Sequence, residues 1–591
     1  MNEQRTIPNE STHDVVTFDI LAGGQVIDPG YQLISLVVTK EVNRIPTARL
    51  VIRDGDAAIE DFEISNKADF IPGKELLIKL GRDRENTPVF KGIITKHAIK
   101  IRENGNADLS VEARDASVRM TIGRHSRYYE DRKDSEVIEE VISQYSGLDK
   151  DVETTSLKHK ELVQQHATDW DFILSRADAN GKLVIVDDGK ISVKKPDTGQ
   201  SPVLGLHYGS TLRAFEAEMD ARNQWKKVVA RSWDYANQDL FEAESSSASF
   251  SEHGNIQGSD LANTINLAEY ELRHTGHLLA EELTEWAKAC MLKSRLAKIR
   301  GRAKIIVGNS DVKPGTMVDL QGVGDRFNGK AYVTAVRHEV GDGEWDTHIQ
   351  FGLDPKWFAS NEEIIDFPAA GLIPAIHGLQ VGKVLQLQDD PDGEDRILVK
   401  LPIIDKNGAG VWARVASLDA GAERGAFFRP EIDDEVIVGF LNADPRDAVV
   451  LGMLHSSAKP APITAQDVNH EKGFTTRSKM HIHFNDDTKT IIIDTPAGNS
   501  ITIDESSKSI EIKDQNNNKV TLEPAGITLD SPKEITIKAG TNIKISAGAQ
   551  LTVEAAQIGL KASGPFEAQG ATAKLAGQGI TEVTGSLVKI N

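Results

Sequence analysis

The C-terminal tract from Met480 to Asn591 repeats one motif, a pair of apolar residues with a single residue between them. The pairs run Ile491/Ile493, Ile501/Ile503, Ile510/Ile512, Val520/Leu522 and Ile527/Leu529, then Ile535/Ile537, Ile543/Ile545, Leu551/Val553 and Ile558/Leu560. They recur every nine or ten residues up to Val520 and every seven or eight beyond it. Strand side chains alternate between two faces, so each pair reads as a short strand with one apolar face. Turn formers such as Asn516-Asn517-Asn518, Ala539-Gly540 and Ala547-Gly548 separate them. Self-similarity at a fixed short period is the signature of a repeat array.

Two apolar side chains per repeat make a thin stripe that cannot bury a core alone. Phe484 and Phe566 are the only aromatic residues from Met480 to Asn591, so nothing bulky fills a wide interior. Three identical chains wound about one axis solve both problems. Their stripes meet in a narrow dry centre, and each backbone edge pairs with a neighbour. The expected fold of the tract is therefore a triple-stranded intertwined β-helix, a needle whose core is formed by Ile527, Leu529, Ile535, Ile537, Ile543, Ile545, Leu551 and Val553. A monomeric β-solenoid is the alternative, since three octads could in principle make one coil.

The chain has 591 residues, which is too long for one core. From about Val15 to Asp366 the sequence reads as strands with a few inserted helices. Leu76-to-Leu80 and Gly92-to-His97 look like half-buried strands. Val137, Ile138, Val141, Ile142 and Tyr145 share one helical face, with Asp134 or Ser135 as N-cap and Gly147 as stop. A second helix is expected over about Asp169 to Ala179, ending in Asn180-Gly181. The strands Leu183-to-Val186 and Ile191-to-Val193 follow, joined by the turn Asp187-Asp188-Gly189. The expected organisation is a mainly β hub over 1–366 with β-barrel-like domains and an α/β insertion at about 127–200, a connector at 367–377, a β barrel at 378–455, a second connector at 456–478 and the needle at 479–591.

Charge and cysteine content narrow the function classes. The formal net charge of −21 argues against a nucleic-acid partner, because phosphates demand a basic surface. The single cysteine, Cys290, cannot form an intrachain disulfide and suits a reducing cytoplasm. It lies in the apolar-periodic stretch Glu281-to-Leu296, where a buried inert thiol is expected. Met1 to Val15 contains no apolar h-region, so no secretory signal is expected, and no run approaches the roughly 18 apolar residues of a spanning helix.

The middle segment carries a series of ordered motifs. Gly382-Lys383-Val384 and Arg396-Ile397-Leu398-Val399-Lys400-Leu401-Pro402 look like the opening strands of an OB-type barrel. Val411-Trp412-Ala413-Arg414-Val415-Ala416 follows, then the run from Gly425 through Phe427-Phe428-Arg429-Pro430 to Phe440, and finally Asp444-Pro445-Arg446 through Leu454. This series resembles VgrG spike proteins and the baseplate-spike proteins of contractile phage tails and extracellular injection particles. The region of Gly123-to-Ile142 and Asp169-to-Gly181 is similar to the phage hub fold of the same proteins. The resemblance implies a homotrimer whose hub joins an inner tube protein and baseplate proteins, and whose needle is driven through a target membrane by sheath contraction. It implies a PAAR-type tip protein seated on the needle end, at Leu587, Val588, Lys589, Ile590 and Asn591, and effector cargo. It also implies synthesis in a bacterial cytoplasm and release as part of a particle.

Candidate chemistry is sparse. His481 and His483 share one strand face, and in a trimer six imidazoles could ring the axis and hold a metal. Needles of the resembled phage type hold iron through His-x-His at the distal tip, whereas this pair sits at the root, so a solvated or stacked pair is expected. Gly324-Asp325-Arg326-Phe327-Asn328-Gly329-Lys330 matches most of a P-loop but is followed by Ala331 and a strand, so it reads as a hairpin turn. Asp389-to-Asp395 fails as a calcium loop, because Gln388 and Val399 would occupy ligand positions. The connector after His455 is far shorter than the roughly 50 residues of a minimal domain, and the chain stops at Asn591 after the last repeat-like stretch. Neither a catalytic domain nor a cofactor is therefore expected. A receptor-binding tailspike or adhesin is the alternative function, disfavoured by the scarcity of aromatics on the shaft.

Overall fold

A computed structural model describes residues 15–103, 106–360, 364 and 367–590. The chain divides into two compact units, residues 1–379 with 439–449, and residues 380–438 with 450–591.

The first unit is built on one thirteen-stranded sheet. Its path runs Leu212–Met219, Ile299–Ile305, Glu344–Phe351, Gly329–Gly341, Leu33–Glu41, Thr47–Arg53, Ala107–Arg114, Glu85–Ile101, Glu75–Arg82, Val16–Ala22 and Gln25–Val26. Met317–Gln321 pairs with Gly329–Gly341 and carries Leu204–His207 on its other side. Alternation explains these strands: Leu36 and Val38 point into the core from Leu33–Glu41 while their neighbours are half-buried. Leu36, Leu50, Ile52, Phe70, Ile78, Phe90 and Val111 form one core, and Ile299, Val318, Leu320, Val333, Ile349 and Phe351 form a second. Barrel-like domains are expected here from the sequence. Leu33–Glu41 pairs with Gly329–Gly341, so the strands of both halves belong to one continuous sheet.

The short helix α1 (Glu63–Asn66) precedes two insertions. The first holds helices α2 (Asp134–Ser143) and α3 (Asp169–Ala179), the ribbon of His125–Lys133 with Lys158–Ala167, and the sheet of Leu183–Asp187, Lys190–Lys194 and Asp149–Val152. Val137, Ile138, Val141, Ile142, Ile173, Val184 and Ile191 bury against one another. The α3 boundaries are those expected, with Thr168 Oγ1 accepting from Asp171 N at 3.0 Å and Gly181 at φ +63°. The turn Asp188-Gly189 has positive φ at both residues, as a two-residue hairpin requires. The expected α2 cap is corrected: Lys133 holds the cap position, with its N–H donating to Glu136 Oε2, because the Asp134 carboxylate is engaged elsewhere. The second insertion pairs Val228–Asp234 with Asp239–Ser245 and Tyr270–His274, beside helices α4 (Gly258–Ile265) and α5 (Ala280–Leu296).

Gln380–Gln386, Ile397–Lys400, Val411–Val415, Ala448–Met453 and Glu435–Phe440 close into the five-stranded barrel that the sequence leads one to expect. Val384, Ile397, Val399, Ala413, Val436, Val438 and Val450 fill it. Gly382 is required there, since a Cβ would lie 2.5 Å from Val399 Cγ1. A seven-stranded antiparallel meander follows: Glu471–Thr475, His481–Asn485, Thr490–Asp494, Ser500–Asp504, Ser509–Lys513, Lys519–Glu523 and Gly526–Asp530. Its first strand lies inside the stretch expected as a connector. The expectation of pairing between chains is also corrected for this segment. The spacing of nine or ten is a five-residue strand plus a turn of four or five, which lets each strand pair with its own neighbour. From Ser531 to Ile590 the single chain carries no helix or strand. The period of the apolar pairs first shortens between Val520 and Ile527, one strand before intrachain pairing ends at Asp530.

Candidate assembly surface

The meander turns are set by side chains that accept backbone N–H groups. Asn485 Oδ1 accepts from Asp487 N and Thr488 N at 3.0 and 3.1 Å, Asp504 Oδ1 from Ser506 N at 2.8 Å, and Asp514 Oδ1 from Asn516 N and Asn518 N, each at 2.8 Å. Such turns hold the strands in one register, and register decides which face is apolar. Here every apolar pair lands on the same face. Ile482 stands opposite Ile493, Phe484 opposite Ile491, Ile491 opposite Ile503, Ile501 opposite Ile512, Ile503 opposite Ile510 and Ile510 opposite Leu522. Val520 opposite Leu529 and Leu522 opposite Ile527 complete the ladder.

This ladder is not covered within the chain. Ile493 and Ile501 are 44% and 39% exposed, while Thr502 and Asp504 of the same sheet are more buried. Burying an aliphatic side chain stabilises by about 1.5–3 kcal/mol, and a contiguous apolar face of this length marks an interaction surface. The tail continues the pattern: Ile535, Ile537, Ile543, Ile545, Leu551 and Val553 are all exposed in the single chain, as are Ile527 and Leu529. At the base of the meander, Phe474 stacks on Phe428 of the barrel at 5.4 Å and Arg477 Nη1 lies 2.8 Å from Glu431 Oε2.

The structure separates the metal candidates from the apolar face. His481 and His483 flank Ile482 in one strand and therefore project from the opposite side of the sheet. His481 Nδ1 lies 2.9 Å from Asp494 Oδ1, and His483 Nε2 lies 3.9 Å from Glu471 Oε1. No group of three or more metal-ligating side chains occurs among the described residues. Leu587, Val588, Lys589 and Ile590 lie in the strandless tail, and Asn591 falls outside the described residues. The P-loop-like stretch is a turn leading into Gly329–Gly341. The acidic run at 389–395 is a turn in which Asp390 accepts from the backbone of Asp392, Glu394 and Arg396 and pairs with the Arg396 guanidinium. Cys290 is buried in α5, and burial pushes its thiol up to about 12.

One polar cluster in the first unit was not legible in the sequence. Asp134 is buried, and its carboxylate accepts from Arg176 Nε at 2.6 Å, Arg176 Nη2 at 3.0 Å and Asn180 Nδ2 at 2.9 Å, with His159 Nε2 at 3.0 Å. Burial alone would raise its pKa, but these hydrogen bonds outweigh it and hold the carboxyl well below the usual carboxylate range. The four residues come from α2, α3 and its C-cap, and the ribbon strand, so no short motif announces them. Their geometry is structural: it locks the two helices together. No helix among the described residues is long and apolar enough to cross a membrane.

Residues 12–342, more than half of the chain, match the family described as Alg8 N-terminal domain. Residues 380–455, the barrel, match the Type VI secretion system/phage-baseplate injector OB domain. The chain is similar to the type VI secretion system spike protein VgrG3 of Vibrio cholerae serotype O1, with 28% identity over 115 residues. The matched stretch is 18% of this chain and spans only 11% of that relative's length. Among solved structures it is similar to the 43 kDa tail protein of prophage MuSo2 from Shewanella oneidensis, at 12% identity and a TM-score of 0.44 over 57% of this chain and 98% of that one. It is also similar to an E. coli component of the type VI secretion system, at 12% identity and a TM-score of 0.36 over 74% and 99% of the two chains. The resemblance to VgrG-type spikes read from the barrel motifs is thus matched by a spike protein and by the injector OB domain.

Proposed function

The chain belongs to the Alg8 N-terminal domain family, and from its injector OB barrel and uncovered apolar ladder we propose that it is the homotrimeric central spike of a contractile injection apparatus. Its hub joins an inner tube and baseplate proteins, and its needle pierces a target membrane when the sheath contracts. A PAAR-type tip protein sits at the needle end near Leu587 to Ile590, and effector cargo travels with it. The spike carries no catalytic centre or cofactor of its own and binds no nucleic acid.

The observation that carries this reading is the uncovered apolar ladder of the meander, continued as exposed apolar pairs along the strandless tail. A sheet that is apolar on one face must bury that face against another layer. Three copies about one axis cover it and give each tail a backbone partner, which supplies the stiffness a piercing shaft needs. The injector OB match at 380–455 supports the same role.

Deleting residues 531–590 in the producing bacterium tests the proposal. Particles with hub and sheath should still assemble, while injection into target cells is lost. Undiminished injection by such particles would refute the needle's role.

A further inference from the structure

A cavity of about 260 Å³ in the first unit is lined by residues of α2, α3, α5 and the end of Tyr270–His274. At one side lies the Asp134–Arg176 pair, in which two guanidinium nitrogens are committed to one carboxylate. That pair is matched internally. On the other side, α5 presents Glu282, Glu285 and Trp286, which share one helical face by their spacing. Glu285 is already paired, with Lys288 at 2.9 Å and Lys195 at 3.4 Å. Glu282 is different: its ion pair is to Arg176 Nη2 at 3.8 Å, a group already claimed by Asp134. Glu282 thus shares one guanidinium with Asp134, beside the half-buried indole of Trp286, with His274 also lining the cavity.

A carboxylate next to an aromatic face in a partly desolvated hollow recognises a cation, through a charge-assisted hydrogen bond and a cation–π contact. Typical small-molecule pockets span about 300–1,000 Å³, so this one holds a side-chain head group rather than a larger ligand. A flat guanidinium can stack on an indole and donate to a carboxylate at once, which an ammonium does less well. The net charge of −21 favours a basic partner in any case. We propose that this cavity is an anchor hole for an arginine side chain projecting from a partner protein, with Glu282 and Trp286 as its recognition residues.

Calorimetric titration of the full chain with the blocked peptide acetyl-Gly-Arg-Gly-amide tests this. Saturable binding is expected, absent with the glutamine analogue, and weakened about tenfold or more in Glu282→Gln, the loss expected for one hydrogen bond to a charged group. Trp286→Leu should weaken it similarly, while Glu242→Gln, on another sheet, should leave it unchanged. Absence of arginine-peptide binding would overturn the proposal. So would equal binding of the glutamine peptide, or binding indifferent to both cavity substitutions, which would place the peptide on the general acidic surface. Should Glu282→Gln fail to fold, Trp286→Leu and the peptide comparison on the unaltered chain decide the matter.

Discussion

Ile493 stands directly opposite Ile501 across the strands Thr490–Asp494 and Ser500–Asp504, and both side chains are open to water in the single chain. Cross-strand apolar pairs are the unit of sheet stabilisation, but their full contribution needs a second layer. The same relationship repeats along the meander, so a covering surface at one pair implies one along its whole length. Copies of the same chain supply a surface of matching period.

If Ile543 faces the shared axis, Ile543→Asp places a carboxylate in the same layer three times. Burying unpaired charge costs several kcal/mol per group, so assembly should be lost. Thr502→Lys, on the polar face opposite Glu511, should assemble normally. Sedimentation of the two variants checks this, and an intact, heat-resistant Ile543→Asp trimer would show that the position faces outward.

The two parts of the C-terminal tract should differ in how they gain order. Residues 471–530 pair within one chain, whereas 531–590 have no strand partner there. Hydrogen exchange of the assembled protein should show protected amides around Ile535 to Leu560. After dissociation by mild denaturant, that protection should vanish while some persists in the meander.

Asp134→Asn should destabilise the hub by roughly 3 kcal/mol, the scale of breaking a buried ion pair, because Arg176 and His159 lose their common acceptor. Urea unfolding followed at Trp170, which packs in the same insertion core, reads this directly. A change below about 0.5 kcal/mol, the level of ordinary surface substitutions, would mean that the cluster is not structural.

Burial, with Lys40 and Lys313 nearby, pushes His338 down to about 3, and burial with Lys298 pushes His253 down to about 4. Both are neutral in the folded state but take a proton when unfolded below about pH 6.5. The unfolded state then binds more protons, so stability falls as pH drops from about 6.5 towards those folded values, by up to about 1.4 kcal/mol per pH unit for each histidine. Asp134 and Asp187, both held below the usual carboxylate range, stay ionised above pH 5. The urea midpoint should therefore be lower at pH 5 than at pH 7, and His338→Gln should flatten the difference.

Local signals were readable in the sequence and long-range ones were not. Helix α3 was legible residue by residue, because Asn180-Gly181 stops it and its apolar face is periodic. The repeat pairs located the strands of the C-terminal meander, but the change in their spacing after Val520 comes one strand before intrachain pairing ends at Asp530, which only the register shows. Pairing of Leu33–Glu41 with Gly329–Gly341 joins segments almost three hundred residues apart, and no local pattern encodes it. The α2 cap was misread for a related reason. Asp134 is a good cap by residue type, but Arg176 from another helix claims its carboxylate.

The account depends on threefold closure of a tail that cannot bury its own apolar stripe. Native mass measurement of the purified full chain addresses this most directly. It should give three times the chain mass, with no folded smaller species at low concentration. A stable single-copy species whose amides between Ile535 and Leu560 resist exchange would contradict it.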